Sequence, residues 1–245
     1  MLVRRAYIPE RLRPASNDTW PYTVPCVAEL ADAGLSFTSP VTFLVGENGS
    51  GKSTLIEAFA EAFKFDDRGG RNLGPYATNR PKSALGSVLH LDLTSKGAAV
   101  LRGHRSKRRG FFLRAETALG LLEKKSGTLG YWEDDTARMS HGEGFLTVFS
   151  TMFRDPLLYL MDEPEAALSF TSCLRLVGLV HQLGNTGAQV ICATHSPILA
   201  ATPGADIIEI GEHGSRRVEW KDLELVDHWR RYMENPSSYL RHITE

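Results

Sequence analysis

Apolar residues along the chain fall into two patterns. Short unbroken blocks read as strands buried on both faces, and blocks spaced three or four apart read as helices with one buried side. Val41-Thr42-Phe43-Leu44-Val45 is a block of the first kind, and Leu55, Ala58, Phe59, Ala62 and Phe63 follow it at helical spacing. Strand-type blocks return at residues 157–161, 189–193 and 206–210, with helical stretches between them. Strands alternating with helices predict an α/β core with a parallel or mixed sheet.

Upstream and in the middle of the chain the patterns differ. Residues 9–25 carry four prolines among polar groups, which predicts an irregular surface segment, and residues 24–30 and 35–38 are further strand candidates. Residues 87–93 alternate with period two, and residues 98–102 and 110–114 follow after polar turns, which predicts a small antiparallel β lobe over roughly 87–114. Residues 117–155 are expected to be mainly helical. After Ile210, residues 211–215 read as a hairpin loop into 216–220, and a helix from Leu223 is broken at Pro236. Together these elements predict one domain over 1–245, with the hairpin and helix of 206–245 at its end.

Composition narrows the class. With 245 residues, 42% of them hydrophobic, the chain can bury a large core, and a formal net charge of −1 gives no global attraction to nucleic acid. Three scattered cysteines, Cys26, Cys173 and Cys192, lie outside any metal-ligand spacing and fit buried thiols in a reducing compartment. The basic N-terminus lacks the apolar stretch of a secretory signal, and nowhere do about eighteen apolar residues run together. The expectation is a cytoplasmic protein.

The chemistry concentrates in the polar loop between the first block and its helix. Gly46, Glu47, Asn48, Gly49, Ser50, Gly51, Lys52, Ser53 and Thr54 match the phosphate-binding pattern of a glycine, four residues, then Gly-Lys-Ser, with a strand before and a helix after. Glycines let the backbone N–H groups wrap a triphosphate, and the helix start adds its positive end. Lys52 then meets the β- and γ-phosphates and Ser53 meets Mg²⁺. The block at 157–161 ends in Asp162 and Glu163, at the strand edge where open α/β sheets bind ligands. Asp162 suits the Mg²⁺ shell and Glu163 is placed as base for the attacking water. On their own the two acids would equally describe a solvated strand cap.

His195, after the block at 189–193, emerges beside the same edge, where an imidazole can donate to the γ-phosphate and orient water. Ser140-His141-Gly142-Glu143 precedes an apolar helical stretch and offers a second helix-start anion site, although a plain serine cap has the same sequence. Since one chain already has a phosphate cradle, the second predicts that each chain completes its partner's ATP site in a homodimer.

Taken in order, Gly-Glu-Asn-Gly-Ser-Gly-Lys-Ser-Thr, Ser-His-Gly-Glu, Asp-Glu-Pro-Glu-Ala-Ala-Leu and Thr-His-Ser-Pro resemble the Walker A loop, signature loop, Walker B with D-loop, and switch histidine of ABC-type ATPases. The likeness is nearest to small bacterial predicted ATPases of the SMC, RecF and OLD branches, and it covers residues 20 to 242. The resemblance implies an ATP-sandwich dimer that closes head to tail on two ATP molecules. It also implies that Lys52 and Thr54 contact phosphates, Ser53 and Asp162 hold Mg²⁺, and Glu163 activates water. Ser140 and Gly142 then reach the partner's γ-phosphate, and Ala166, Ala167 and Leu168 lie at the dimer seam.

The chain departs from that pattern where the family carries a glutamine between the Walker A and signature loops. Its only glutamines, Gln182 and Gln189, lie downstream. Glu116, after Phe111-Phe112-Leu113-Arg114-Ala115, is the expected stand-in that senses Mg²⁺. Arg71 stands about where SMC-like relatives carry a nucleotide-contacting arginine. Tyr22 or Trp20 could stack on adenine or simply pack on the core.

Residues 102–109 hold five fixed positive charges (Arg102, Arg105, Lys107, Arg108 and Arg109) and no acid. The run fits either nucleic-acid phosphates or a solvated hairpin. The overall expectation is Mg²⁺-dependent ATP hydrolysis that switches another macromolecule. The alternatives are the nucleotide-binding subunit of a membrane transporter or a weakly hydrolysing regulatory scaffold.

Overall fold

A computed structural model describes residues 1–65, 82–102, 110–114, 149 and 157–244. Its centre is a six-stranded sheet. The strands are β3 (Val41–Val45), β5 (Gly110–Arg114), β6 (Leu158–Asp162), β7 (Gln189–Thr194), β8 (Asp206–Gly211) and β9 (Gly214–Arg217). Their order is β5-β6-β7-β3-β8-β9, parallel throughout except for the antiparallel β8–β9 hairpin.

Strand periodicity divides the core into two layers. Val41, Phe43 and Val45 join Tyr159, Met161, Val190 and Cys192 on one face, covered by Leu176, Val180 and Leu183 of α5 (Phe170–Asn185). Leu44, Leu160, Ile191, Ala193 and Ile208 face the other way, against Leu55, Ile56 and Phe59 of α2 (Lys52–Ala62) and Cys26, Val27 and Leu30 of α1 (Pro25–Ala33). Each fully buried Leu, Ile or Phe contributes roughly 1.5–3 kcal/mol to holding these layers on the sheet.

A second sheet of three antiparallel strands, in the order β2-β1-β4, packs into the α2 layer. It consists of β1 (Val3–Tyr7), β2 (Leu35–Ser36) and β4 (His90–Leu93). The antiparallel lobe expected from the sequence therefore exists with different members. Its central strand is β1, whose short alternation is broken by a register shift between Val3 and Arg5. The strand predicted at 110–114 is β5, which pairs parallel with β6 in the main sheet.

Three predicted strand segments are wholly or partly helical. Residues 24–30 fall in α1, where Pro25 occupies the first turn and needs no hydrogen-bond partner, and buried Cys26, Val27, Leu30 and Ala31 recur at helical spacing. Residues 98–102 belong to α4 (Ser95–Arg102), started by the Thr94 hydroxyl, which accepts from Gly97 N at 3.0 Å. A Cβ on Gly97 would lie 2.0 Å from the Leu2 carbonyl oxygen, so glycine lets this helix rest on the chain just ahead of β1. The first part of 87–93 closes α3 (Ala84–Val88), whose cap Ser83 accepts from Gly86 N at 2.9 Å, and β4 begins only at His90.

The irregular N-terminal segment and the break near the C-terminus match the sequence reading. Residues 9–25 contain only a short 3₁₀ turn, Glu10–Leu12, before α1. α6 (Pro197–Ala200) follows β7, and α7 (Glu224–Glu234) and α8 (Pro236–Thr244) divide at Pro236 as the sequence predicts. Of the segment 117–155, only Phe149 is described; it is helical and buried against the α5 layer.

Candidate functional site

The sheet order brings distant residues to one edge. β7 lies between β3 and β6, so the loop after β3, the acids ending β6 and the histidine after β7 all emerge at the C-terminal ends of adjacent parallel strands.

Gly49 and Gly51 have φ of 83° and 101°, a left-handed backbone that favours glycine. Gly46 is required for another reason, because a Cβ there would sit 2.1 Å from the Ile210 carbonyl oxygen of β8. Glu47, Asn48 and Gly49 are exposed, and with Ser50 they border a cavity of about 880 Å³ that the β8–β9 hairpin closes on the far side. Ser50 Oγ is buried with no partner among the described residues.

Lys52 opens α2 and is buried, with its ammonium donating to the Glu47 carbonyl at 2.8 Å and lying 4.0 Å from Glu163 Oε1. Burial lowers its pKa, opposed by the charges of Glu163, Asp162 and Glu165. Ser53 Oγ donates to Asp162 Oδ1 at 2.9 Å, across 109 residues of sequence. Burial pushes the Asp162 carboxyl up to about 6, against the pull of the Ser53 hydrogen bond and the Arg114 guanidinium. Arg114, ending β5, pairs with Glu57 of α2 at 2.8 Å.

Glu163 has φ of 48°, a left-handed conformation that costs a non-glycine residue roughly 1–2 kcal/mol. Its N–H donates to the Ala193 carbonyl of β7 at 2.9 Å and its carbonyl accepts from Ala166 N at 3.1 Å, which fixes the turn. The side chain stays 30% exposed beside His195 Nδ1, at 3.5 Å. Glu163 thus differs from Asp162, which is buried and bound to the loop helix.

A nucleotide triphosphate fits this arrangement. A loop in which a Cβ at Gly46 or Gly51 would clash, an orphaned Ser50 hydroxyl and a buried ammonium are the groups that anionic oxygens satisfy. The Ser53 hydroxyl and the Asp162 carboxyl are hard oxygen donors of the kind magnesium takes.

The comparisons agree with the geometry. Residues 29–101 match the family described as "AAA domain", and residues 137–201 match "AAA domain, putative AbiEii toxin, Type IV TA system". Both matches border on or include the strand-edge groups just described. The chain has the fold of a P-loop nucleotide-binding domain and is similar in sequence to AAA-type ATPase domains over these two segments.

The chain is also similar in sequence to ATP-binding proteins of importers. It is 27% identical to the ribose import ATP-binding protein RbsA 1 of Rhizobium meliloti, over 70% of this chain and 37% of that protein. It is 28% identical to the arabinose import ATP-binding protein AraG of Ralstonia nicotianae, over 69% of this chain and 36% of that one. The ATPase therefore spans little more than a third of these relatives. The SMC head domain from Thermotoga maritima shares its fold with a TM-score of 0.52 at 15% identity, covering 89% of this chain and 99% of that one.

The other sequence candidates divide between described and undescribed positions. Tyr22 is half-buried against the α2 layer and Trp20 is 66% exposed, so packing on the core holds for Tyr22 alone. Glu116, Ser140, His141, Gly142, Glu143, Arg71 and residues 103–109 lie outside the described residues. Among those described, no helix is long and apolar enough to cross a membrane. Sequence reasoning gave no role to two groups at this edge, Arg114 and Glu165. The second glutamate of Asp-Glu-Pro-Glu was visible, but only the fold turns it toward the histidine loop.

Proposed function

We propose that the ATPase binds Mg-ATP at residues 46–54 and hydrolyses it between two copies of the chain, coupling closure and opening of the pair to a partner macromolecule. The contact between Ser53 and Asp162, beside buried Lys52 and half-exposed Glu163, supports this reading most directly. Lys52 and the loop N–H groups bind the β- and γ-phosphates, with Thr54 behind them. Ser53 and Asp162 hold Mg²⁺, which when bound neutralises charge on the phosphate oxygens. Glu163 accepts a proton from the attacking water, and His195, set by its contact with Glu163, orients that water. Glu116 is the proposed metal sensor. Ser140, His141, Gly142 and Glu143 supply the corner that reaches the partner's nucleotide.

For the partner, a membrane transporter has more support than a DNA-repair or defence switch, because several relatives are named as import, export or permease proteins. The switch reading draws on the fold likeness to an SMC head over nearly the whole of that domain. The absence of a glutamine between the first loop and residue 140, where transporters of this type couple to their membrane domains, also favours it.

Phosphate release by wild type and Glu163→Gln tests the chemistry. The variant should bind ATP with unchanged affinity and turn over about 10²–10⁴-fold more slowly. Equal rates would remove Glu163 from the mechanism. Ser140→Arg should keep ATP binding and lose the ATP-induced mass shift in light scattering, and an unchanged shift would contradict the shared site. ATP-loaded Glu163→Gln should sediment with membranes of its native host under the transporter reading. Recovery wholly in the soluble fraction would favour the switch.

A further inference from the structure

Glu165 is an acid buried to 8% exposure two residues past Glu163, in the 3₁₀ turn Pro164–Ala167. Its Oε1 accepts from the Thr194 hydroxyl and, at 2.9 Å, from the His195 backbone N–H. The same oxygen lies 3.7 Å from His195 Nδ1, which is also 3.5 Å from Glu163 Oε1. Thr194 Oγ1 in turn accepts from Ser196 N at 2.9 Å, so residues 194–196 are bound as a unit to one buried carboxyl group. Its other oxygen, Oε2, is buried and has no partner among the described residues.

Burying a carboxyl group with one oxygen unsatisfied costs free energy, on the order of 1–3 kcal/mol. What the group does secure is geometry. The loop bearing His195 is fixed to the turn bearing Glu163, and the imidazole Nδ1 faces two acceptors. These contacts hold the ring by its Nδ1 edge and leave Nε2 as the nitrogen available to a ligand.

We propose that Glu165 is a positioning residue for ATP hydrolysis, locking the histidine loop onto the Glu163 turn so that His195 and Glu163 act on the same water. This rests on the roles proposed above for Glu163 and His195. It adds a third member to the set, acting only through the other two.

Steady-state kinetics on the full chain test it. Glu165→Ala should lower kcat about 10²-fold, as expected when reacting groups shift by about an ångström, while KM for ATP stays within about threefold. Glu165→Gln keeps an acceptor for Thr194 and His195 N and should restore kcat to within about fivefold of wild type. On a His195→Ala background, Glu165→Ala should change kcat by less than about twofold, since coupled residues are not additive. If Glu165→Ala does not fold, Thr194→Val, which removes the donor while keeping the shape, should show the same loss of kcat and the same non-additivity. A wild-type kcat in Glu165→Ala, a fall in kcat accounted for by the loss of folded protein in a melting measurement, or fully multiplicative losses with His195→Ala would overturn the proposal. Those results would leave the Glu163 reading intact if Glu163→Gln is inactive. A wild-type chain with no Glu163-dependent turnover would remove both.

Discussion

The side-chain amide of Gln189 grips the backbone of Val3 from both sides. Its Oε1 accepts from Val3 N at 2.8 Å and from Leu2 N at 2.7 Å, and its Nε2 donates to the Val3 carbonyl at 2.9 Å, all fully buried. One of the chain's two glutamines thus fastens the antiparallel sheet to the first residue of β7, remote in role from the family glutamine that senses metal.

Gln189→Leu keeps the volume and strips three hydrogen bonds from buried backbone groups. At about 1 kcal/mol net each, more where a group is left unpaired, the loss should be about 3 kcal/mol. Urea unfolding should show the lower midpoint, with ATP affinity of the folded fraction unchanged because the site edge lies at the other end of β7. A midpoint within error of wild type would mean that water or relaxation replaces the amide.

Gly46→Ala should damage the loop without touching any charge. The new methyl would meet the Ile210 carbonyl of β8 at 2.1 Å, an obstacle of backbone that can yield only if β3 and β8 part. Nucleotide affinity should fall by at least about tenfold, with destabilisation of about 1–3 kcal/mol typical of forced overpacking. By contrast, a Cβ on Gly49 meets nothing within 4 Å, so Gly49→Ala should act only through its positive φ of 83°, with a smaller effect.

The raised pKa of Asp162, about 6, sets a stability profile for the chain free of nucleotide and divalent metal. The folded carboxyl binds its proton more tightly than the unfolded one, so between about pH 4 and 6 the folded state holds a proton that the unfolded state has released. Stability therefore falls as pH rises through that window, and the full cost, about 3 kcal/mol, is present above it. Asp162→Asn should remove this part of the profile, leaving the variant more stable than wild type at pH 7.5 and about equal below pH 4. Paired urea titrations in a chelator across pH 4–8 measure the difference. Parallel curves would show that Asp162 is solvated in the free chain.

Arg114 lowers the Asp162 pKa from the neighbouring strand end. Arg114→Met should move the wild-type transition upward from about 6, and the two substitutions should be non-additive because they share that carboxyl. An unmoved transition would assign the Arg114 charge to Glu57 alone.

Much of the site could be read from the chain because its signals are local. The glycine spacing at 46–54, the strand before it and the helix after it are set by backbone geometry within a dozen residues, and the blocks ending at Asp162 and Thr194 carry their polar termini with them. The tail hairpin and the break at Pro236 were legible for the same reason. Segments 24–30 and 98–102 were not, since a short apolar run serves a strand or a helix face equally. In each, a neighbour decides the outcome: Pro25 and the packing of α1 against the sheet, or Thr94 and the close approach of Gly97 to the Leu2 backbone.

The sequence by itself determined that a phosphate-binding loop is present and which strand ends carry acids and a histidine, because those patterns are written in consecutive residues. Tertiary structure alone decided that β7 lies between β3 and β6, that Ser53 meets Asp162, that β5 joins the parallel sheet and that Glu165 faces the His195 loop. Each of these is a pairing between residues far apart in the chain. It follows from which buried faces satisfy one another, and no local pattern encodes it.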